Sequence, residues 1–464
     1  MKNETLEELL NSSTNKKILL LGREGLFTPK EIERFFKKLN VELVIEYSSE
    51  LSAIIEHSKL NPFEEDISNM AYDDKVVIYK LVELEKLLSE SINDDELLMG
   101  IKLANDQSRV FRILGNAHIS NELFIKLLTM YEWHEDEEDN KEDRDVIMYT
   151  LRRYISIKPN EEDLLYSYLT LRRLATEAKN PNLLLALINF PNFKFQVRGK
   201  QRVTLRETIA RNPNINEKVI SKLISLRDLK VDIALASNSS VDVRILNRFL
   251  EKNSSDIDKS LATNSNINNS IFQELLNKEA TIIELLLLWQ EIDLNRLKHI
   301  EEKNFEDELF AILGANENLN RESIERLIKK DNEKLLINIS KNPILEPKTL
   351  EDIYRTNKKM TFLNLCENPS TPTYIIEELF EKNIDNSEIL SAIAHNKNTP
   401  QELLRFLYDK DNFIINKGLS INPSLPMELL NNLKVDTRLQ SYLAQNPIFI
   451  EEYELVLDFD GRGI

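Results

Sequence analysis

The chain has 464 residues, of which 42% are hydrophobic, and a formal net charge of −18 at pH 7. That length is too great for one core and predicts two to four domains or one repeat array. Only 9 Gly and 14 Pro favour a mostly helical fold over a sheet protein rich in turns. The negative charge disfavours partners that need an excess of Lys and Arg, namely nucleic acid and anionic membrane surfaces.

A single cysteine, Cys366, excludes an internal disulfide framework and a cysteine-ligated zinc or iron–sulfur site. The start MKNETLEELL lacks the basic and apolar regions of a signal peptide, and the apolar stretch TIIELLLLW is too short to span a membrane. We therefore expect a soluble, cytoplasmic protein that does not contact the membrane.

Residues 1–95 are predicted to form a small α/β module. The run KKILLL indicates a strand, and Thr28-Pro29 followed by Glu31 indicates a capped helix start. A second strand, the strand-like AIIEH and a helix around KLVELEKLLSES follow. This order of elements resembles a BRCT-type domain, with residues 16–22 and the next helix carrying the resemblance. Leu21 stands where phosphopeptide-binding members have Ser or Thr, so phosphate recognition is not implied.

Residues 96–200 are predicted to be a helical linker region with degenerate copies of the repeat that fills the rest of the chain. Asn116 and Asn180 occupy the position of the repeat's asparagine. Between them lies YEWHEDEEDNKEDRD, residues 131–145, which we interpret as a solvated loop inserted between repeats. The alternative is a docking segment for a basic partner.

A basic segment, NFKFQVRGKQRVTLRETIAR, covers residues 192–211. Its candidate residues for binding phosphate or an acidic partner are Lys194, Arg198, Lys200, Arg202 and Arg206. Basic side chains interleaved with Phe can grip a nucleic-acid strand. The other interpretation is a junction that meets the acidic run or an acidic partner, and the net charge of the chain favours it.

Residues 201–464 are predicted to be a helical repeat array with a C-terminal cap, because one polar residue recurs at steps of 26 residues, with one step of 28 and one of 24 near the end. We call these residues the anchors, and they are Asn212, Asn238, Asn264, Gln290, Asn316, Asn342, Asn368, Asn396, Asn422 and Asn446. The residue three before each anchor is Leu or Ile, and the residue two before it is small except at Leu288. Cys366 stands in this small-residue column, which favours a packing role for it.

Each repeat is predicted to contain two short helices. The first should begin near the third residue after the anchor, where Thr371 and Thr399 precede Pro and would act as N-caps, with Glu402 completing a capping box. The second leads back to the next anchor. Five anchors precede Pro, which ends the incoming helix. We expect the asparagine to cap the next turn and its carboxamide to bond to the backbone of a neighbouring repeat, forming a ladder.

Units such as IAHNKNTPQELLRFL and LSINPSLPMELLNNL resemble the leucine-rich repeat variant family over about residues 200–455. The resemblance implies a right-handed α-solenoid of alternating α and short 3₁₀ helices. The predicted fold is therefore mostly α, about ten two-helix repeats after a small α/β module. The cysteines that hold an iron–sulfur cluster in a founding member of the family are missing here, so its redox function is not implied.

The residue directly before each anchor varies between constant neighbours, which predicts an outward-facing column that contacts a partner. The alternative is that these positions are simply surface that tolerates any residue. We single out Arg211, Trp289, Lys341 and His395 as partner-binding candidates, because Trp and Arg dominate interface energies. The histidines show no metal-ligand spacing, and we find no nucleophile or kinase motif. The sequence thus predicts a non-enzymatic protein-binding scaffold or adaptor without a cofactor. The alternative is a nucleic-acid-associated protein that uses the N-terminal module and residues 194–211.

Overall fold

The computed structural model describes residues 5–12, 15–22, 25–134, 140–156, 168–196, 202–330, 332–342 and 345–449. Within them the chain is mostly helical, with a small parallel sheet near the N-terminus. Internal contacts divide the chain into two units, Met1–Ala234 and Leu235–Ile464. The domain boundaries predicted after residues 95 and 200 differ from this division and stay predictions.

The sheet of the first unit has four parallel strands in the order β2-β1-β3-β4. They are β1 (Lys16–Leu21), β2 (Val41–Val44), β3 (Ala53–Glu56) and β4 (Val77–Lys80). The two central strands are apolar because helices cover parallel sheets on both faces, and Ile18, Ile54 and Ile55 are fully buried. The predicted strands KKILLL and AIIEH are confirmed, whereas β4 was not predicted.

Four helices accompany this sheet, namely α1 (Leu6–Asn11), α2 (Pro29–Lys38), α3 (Pro62–Asp73) and α4 (Leu81–Ser91). The predicted capping box at α2 is confirmed. The backbone nitrogen of Thr28 donates to Glu31 Oε2 at 2.7 Å, and that of Glu31 donates to Thr28 Oγ1 at 3.4 Å. Ile32 and Phe36 form the buried face of α2, as its spacing predicts. The helix α3 was not predicted.

Where the structure describes it, the rest of the first unit consists of helices, their connections and one short hairpin. Its elements are α5 (Asp94–Ala104), α6 (Gln107–Leu114), α7 (Asn121–Met130), α8 (Lys141–Tyr154), α9 (Tyr168–Glu177), α10 (Pro181–Leu187), β5 (Lys194–Phe195), β6 (Val203–Thr204), α11 (Leu205–Ala210) and α12 (Glu217–Ser225). The division between the units falls inside α13 (Leu229–Ala236). A buried ion pair of 2.6 Å between Arg109 of α6 and Glu31 of α2 joins this helical part to the sheet-bearing part.

The second unit consists of short helices. They are α14 (Val243–Leu250), α15 (Ser255–Ala262), α16 (Asn269–Leu275), α17 (Ala280–Trp289), α18 (Leu294–Glu302), α19 (Asp307–Ala311), α20 (Arg321–Ile328), α21 (Glu333–Ser340), α22 (Pro347–Arg355), α23 (Phe362–Glu367), α24 (Thr373–Lys382), α25 (Ser387–His395), α26 (Gln401–Asp409), α27 (Phe413–Ile421), α28 (Met427–Leu433) and α29 (Gln440–Leu443), with 3₁₀ helices at Ile312–Ala315, Lys359–Thr361 and Thr437–Leu439.

The first helix of a repeat begins later than predicted, usually at the fifth residue after the anchor, as α14 and α16 do after Asn238 and Asn264. The N-caps, which were not predicted, stand at the fourth residue after the anchor, where Asp242 and Asn268 accept bonds from the first turn. A short polar side chain there satisfies amides that the helix leaves free.

The predicted N-capping role of Thr371 and Thr399 is wrong. Thr399 is buried, and its hydroxyl donates to the carbonyl of Ile393 at 2.5 Å, while Thr371 donates to Leu365 at 2.6 Å. Both threonines thus satisfy a carbonyl at the end of the incoming helix. Helix α26 begins after Pro400 with no side-chain cap, so the capping box with Glu402 does not form.

Candidate interaction surface

The anchors are buried, and from Asn264 onward their side-chain amides donate to backbone carbonyls of the preceding repeat. Asn264 Nδ2 lies 2.7 Å from the carbonyl oxygen of Ala236 and 3.1 Å from that of Asn238. The bond to the previous anchor recurs from Gln290 (2.9 Å), Asn316 (2.8 Å), Asn342 (3.3 Å), Asn368 (2.8 Å), Asn396 (2.8 Å), Asn422 (2.9 Å) and Asn446 (2.9 Å). The predicted ladder is confirmed within the second unit.

The carbonyl end of the same carboxamide caps the chain locally. Asn264 Oδ1 accepts from the backbone nitrogen two residues later at 2.8 Å, and Asn422 Oδ1 does so at 2.7 Å. In the first unit, Asn212 repeats both features, because its Nδ2 donates to Ala175 and Ala178 while its Oδ1 accepts from Asn214. Asparagine suits this position because it offers a donor and an acceptor on one short side chain.

A second ladder, which the sequence analysis missed, lies two residues after the anchors. Asn266 Nδ2 donates to Val241 at 2.9 Å, Asn318 Nδ2 to Trp289 at 3.1 Å, and Asn398 Nδ2 to Thr371 at 3.0 Å. These bonds join successive repeats beside the first ladder. The signal in the sequence is the recurrence of Asn or Ser at this position, as in NSN, NEN, NKN and NPS.

The residues directly before the anchors face solvent, as predicted. We call them the display column, and in the second unit they are Ser237, Thr263, Trp289, Ala315, Lys341, Glu367, His395, Ile421 and Gln445, all of which are exposed except Ile421, which is partly buried. Each lies between the residue two before the anchor and the anchor itself, which are both buried except that Leu288 is partly buried and Ala444 is exposed. Trp289 is 60% exposed although it is a large apolar side chain.

The small residues beside the display column allow helices to pack closely. A Cβ on Gly314 would lie 2.6 Å from the carbonyl oxygen of Leu335 and 2.7 Å from Asn338 Cβ. Ala262, Ser340 and Ala394 are fully buried at the same position of their repeats. The predicted packing role of this column is confirmed in the second unit.

Two arginines strengthen the repeats by the same set of contacts. Arg296 donates to the carbonyl of Ile267 at 2.9 Å and to Asn269 Oδ1 at 3.0 Å, and its guanidinium lies 4.8 Å from the centre of the Phe272 ring. It also donates to the backbone carbonyl of Glu291 at 2.9 Å.

In the first unit, Arg153 donates to Ile119 at 2.8 Å and to Asn121 Oδ1 at 3.1 Å, and it lies 4.6 Å from the centre of the Phe124 ring. The three contacted residues follow Asn116 by the same intervals at which Ile267, Asn269 and Phe272 follow Asn264. Asn116 itself shows the local geometry of an anchor, since its Oδ1 accepts from the backbone of His118 at 2.8 Å.

The candidates of the display column have free side chains. Among the described residues, the side chains of Trp289, Lys341 and His395 make no hydrogen bond, ion pair or ring contact, and the same is true of Arg211 in the first unit. Because these charged side chains and the exposed indole make no such contact with the described residues, they are available to bind another molecule.

The basic segment is only partly described. Lys194 and Arg202 are exposed and lie on or beside the β5–β6 hairpin, whereas Arg206 is partly buried and donates to the carbonyl of Ile188 at 3.3 Å. Arg198 and Lys200 lie outside the described residues. The predicted patch therefore retains two exposed cations, and its binding to phosphate or to an acidic partner stays a prediction.

The acidic run is not a loop throughout. Helix α8 begins at Lys141, so residues 141–145 are helical, where acids in the first turn favour the helix dipole. Asp143 is buried and accepts from the Tyr131 hydroxyl at 2.7 Å and from the backbone of His134 at 3.2 Å. Burial, followed by the bond to Asp143, raises the pKa of Tyr131. Residues 135–139 lie outside the described part, and the docking role of the run stays a prediction.

The described residues contain no group of three or more His, Cys, Asp or Glu side chains placed to hold a metal ion. In the same part of the chain, every helix is too short or too polar to cross a membrane. Comparison with protein-family models, with curated proteins and with solved structures returned no match to this chain.

Proposed function

We propose that the protein is a non-enzymatic scaffold that binds a protein partner through the display column. In this proposal residues 201–464 form a right-handed α-solenoid of about ten two-helix repeats, as the resemblance to the leucine-rich repeat variant family implies. The observation that carries the proposal is the alternation of buried, nearly constant anchors with exposed, variable neighbours. Solenoids use such surfaces because each repeat contributes one or two side chains to an extended face.

Protein partners fit this column better than other classes of ligand. Its side chains are chemically mixed, with an indole, a lysine, a carboxylate and an imidazole at Trp289, Lys341, Glu367 and His395. A surface for nucleic acid would be mainly cationic, whereas protein interfaces combine aromatic anchors with charges of both signs.

Affinity capture from the native organism tests the proposal. The full chain, Trp289→Ala and Lys341→Glu serve as baits. The matched controls are Tyr374→Ala, which removes an aromatic side chain that is 45% exposed outside the column, and Lys348→Glu, which reverses an exposed charge on α22. We expect the two column variants to lose a protein that both controls retain.

Each capture is repeated after nuclease digestion. A partner that survives digestion supports the scaffold, and one that disappears points to the nucleic-acid alternative through the N-terminal module and residues 194–211. Loss of no partner from Trp289→Ala and Lys341→Glu contradicts the assigned face.

A further inference from the structure

A cavity of about 520 Å³ opens in the first unit, and no residue of the display column lines it. Residues 25–26 after β1, His57 directly after β3, helices α4 and α6, residues 116–118, and Tyr149 of α8 line it. Its volume lies within the range of about 300–1,000 Å³ typical of small-molecule sites. Nothing in the proposed scaffold role uses this cavity.

The cavity lies at the edge of the sheet where parallel α/β sheets bind ligands. Strand β2 lies on one side of β1, and β4 lies on the far side of β3, so the strand order reverses between β1 and β3. Ligands bind outside the carboxyl ends of strands at such a reversal, because the loops there diverge. His57 lies at the carboxyl ends of β1 and β3, where its backbone nitrogen donates to the carbonyl of Leu21 at 3.0 Å.

The loops here pack closely, which fixes the wall of the cavity. Gly22 has a φ of +93°, and a Cβ on it would lie 2.4 Å from His57 Cβ. A Cβ on Gly25 would lie 3.1 Å from Glu85 Oε1, which accepts from the backbone nitrogen of Leu26 at 2.6 Å. Glu85 is the one acid among the described lining residues, and this bond directs one of its oxygens to the loop.

Two cations of the lining have no partner among the described residues. The side chains of Lys86 on α4 and Arg112 on α6 are exposed and make no hydrogen bond or ion pair with another described residue. In a chain of net charge −18, many exposed lysines and arginines are instead paired with acids, as Lys126 is with Asp95. Two cations that pair with no described acid and line one cavity favour an anionic ligand.

An aromatic wall lies beside these cations. The rings of Phe111 on α6 and Tyr149 on α8 have centroids 6.0 Å apart and are tilted by 43°. Both side chains are partly exposed and line the cavity. A flat ring stacks well on such a pair.

We propose that this cavity binds a small aromatic anion of the size of a mononucleotide, with its ring against Phe111 and Tyr149 and its acidic group at Lys86 and Arg112. The inference is independent of the scaffold role, because every residue in it belongs to residues 1–234. It assigns the first unit a ligand-binding role that the repeats of the second unit do not require.

Isothermal titration calorimetry of the full chain tests the proposal. The probes are AMP, GMP and UMP, with adenosine as a ring without the charge and inorganic phosphate as a charge without the ring. At least one mononucleotide binds at a single site, and adenosine and phosphate each bind at least about tenfold more weakly, since charge-assisted bonds and stacking both contribute.

Substitutions identify the site. Arg112→Gln and Lys86→Gln each weaken mononucleotide binding by about tenfold or more, because each removes a charge-assisted bond. The controls Arg34→Gln and Lys102→Gln change exposed cations outside the cavity and leave the affinity unchanged. Phe111→Leu keeps an apolar side chain, and we expect it to weaken binding about fivefold by removing the ring.

Three results would overturn the proposal. One is that none of the three mononucleotides binds at millimolar concentration. Another is that inorganic phosphate binds as tightly as the mononucleotides, which rules out a role for the aromatic wall. The third is that Arg112→Gln and Lys86→Gln both bind like the unaltered protein, which places the ligand elsewhere.

Discussion

The side-chain amide of Asn422 lies 2.9 Å from the backbone carbonyl of Asn396, which precedes it by 26 residues. Asn396 in turn donates to the carbonyl of Asn368 at 2.8 Å. Both side chains are almost fully buried, 0% and 3% exposed, so these bonds form where water cannot replace them. Asparagine therefore recurs at a regular spacing in the sequence because each copy forms one step of a hydrogen-bond ladder.

Replacing one anchor should destabilise the second unit strongly. Asn422→Ala removes the side-chain bonds to the carbonyl of Ala394 and to the amide of Ser424. It also removes one of two bonds to the carbonyl of Asn396, which still accepts from the backbone nitrogen of Thr399. Because a buried polar group without a partner costs about 1–3 kcal/mol, we expect the free energy of unfolding to fall by about 2–4 kcal/mol. Urea denaturation followed by circular dichroism measures it.

Asn431→Ala is the matched control for this experiment. Asn431 lies on α28, and its side chain is exposed, so its removal should change the free energy of unfolding by less than about 0.5 kcal/mol. Equal effects of the two substitutions would show that the anchor bonds add no stability.

A methyl group on Gly314 should also destabilise the fold. The added Cβ meets backbone and side-chain atoms of α21 at 2.6–2.8 Å, and such overpacking costs about 1–3 kcal/mol. Gly100→Ala is the control, since the nearest atom is 4.0 Å away and the residue lies inside helix α5. We expect that variant to gain up to about 1 kcal/mol, because alanine suits a helix interior better than glycine. If Gly314→Ala leaves the free energy of unfolding unchanged, the close approach of Gly314 to α21 is contradicted.

The contribution of Arg296 can be separated from that of an ordinary surface arginine. Arg296→Met keeps much of the apolar stem but removes its bonds to Ile267, Asn269 and Glu291. We expect a loss of about 2–3 kcal/mol in the free energy of unfolding. Arg405→Met, which removes one exposed ion pair with Glu428, should cost at most about 1 kcal/mol. Thermal or urea unfolding measures both losses. Equal losses of free energy of unfolding from Arg296→Met and Arg405→Met would show that the contacts of Arg296 stabilise the protein no more than an exposed ion pair does.

Cys366 should resist thiol reagents while the protein is folded. Burial raises the pKa of its thiol to about 12, so the reactive thiolate is scarce at neutral pH. Ellman's reagent at pH 8 should react slowly with the native protein and quickly in urea.

The same pKa shift makes a prediction for stability. The unfolded thiol ionises from about pH 9, so the stability that the buried neutral thiol contributes is fully present below that pH and is lost as the pH rises toward 12. Cys366→Ser should lack this part of the decline in stability at alkaline pH. In the experiment with Ellman's reagent, rapid reaction of the thiol in the native protein would contradict its burial.

The anchors and the display column could be predicted from sequence because repeats align a chain with itself. A polar residue that recurs among apolar neighbours must be buried and bonded, and a variable position between constant ones must face outward. Both inferences needed only local spacing, and the structure confirms both at Asn264 and Trp289.

Features that depend on distant contacts could not be predicted in this way. The cavity brings together residues from Gly25 to Tyr149, and no periodicity links them. Thr399 precedes Pro as an N-cap residue does, but its hydroxyl donates to the carbonyl of Ile393 instead of accepting a bond from the helix that follows. Asp143 was assigned to solvent by the charge of its neighbours, although Tyr131 and the start of α8 bury it. Tertiary packing overrode local preference in both cases.

Site-specific photocrosslinking tests the central claim, that the display column is a protein-binding face, most directly. A benzophenone amino acid replaces Glu367 or His395 in the column, and Glu377 or Glu402, exposed on the helices that follow, serves as control. After irradiation in native cell extract, we expect the two column positions to crosslink to one common protein and the controls to crosslink to it at most weakly. Equal crosslinking from all four positions, or crosslinking from the controls alone, would contradict the claim.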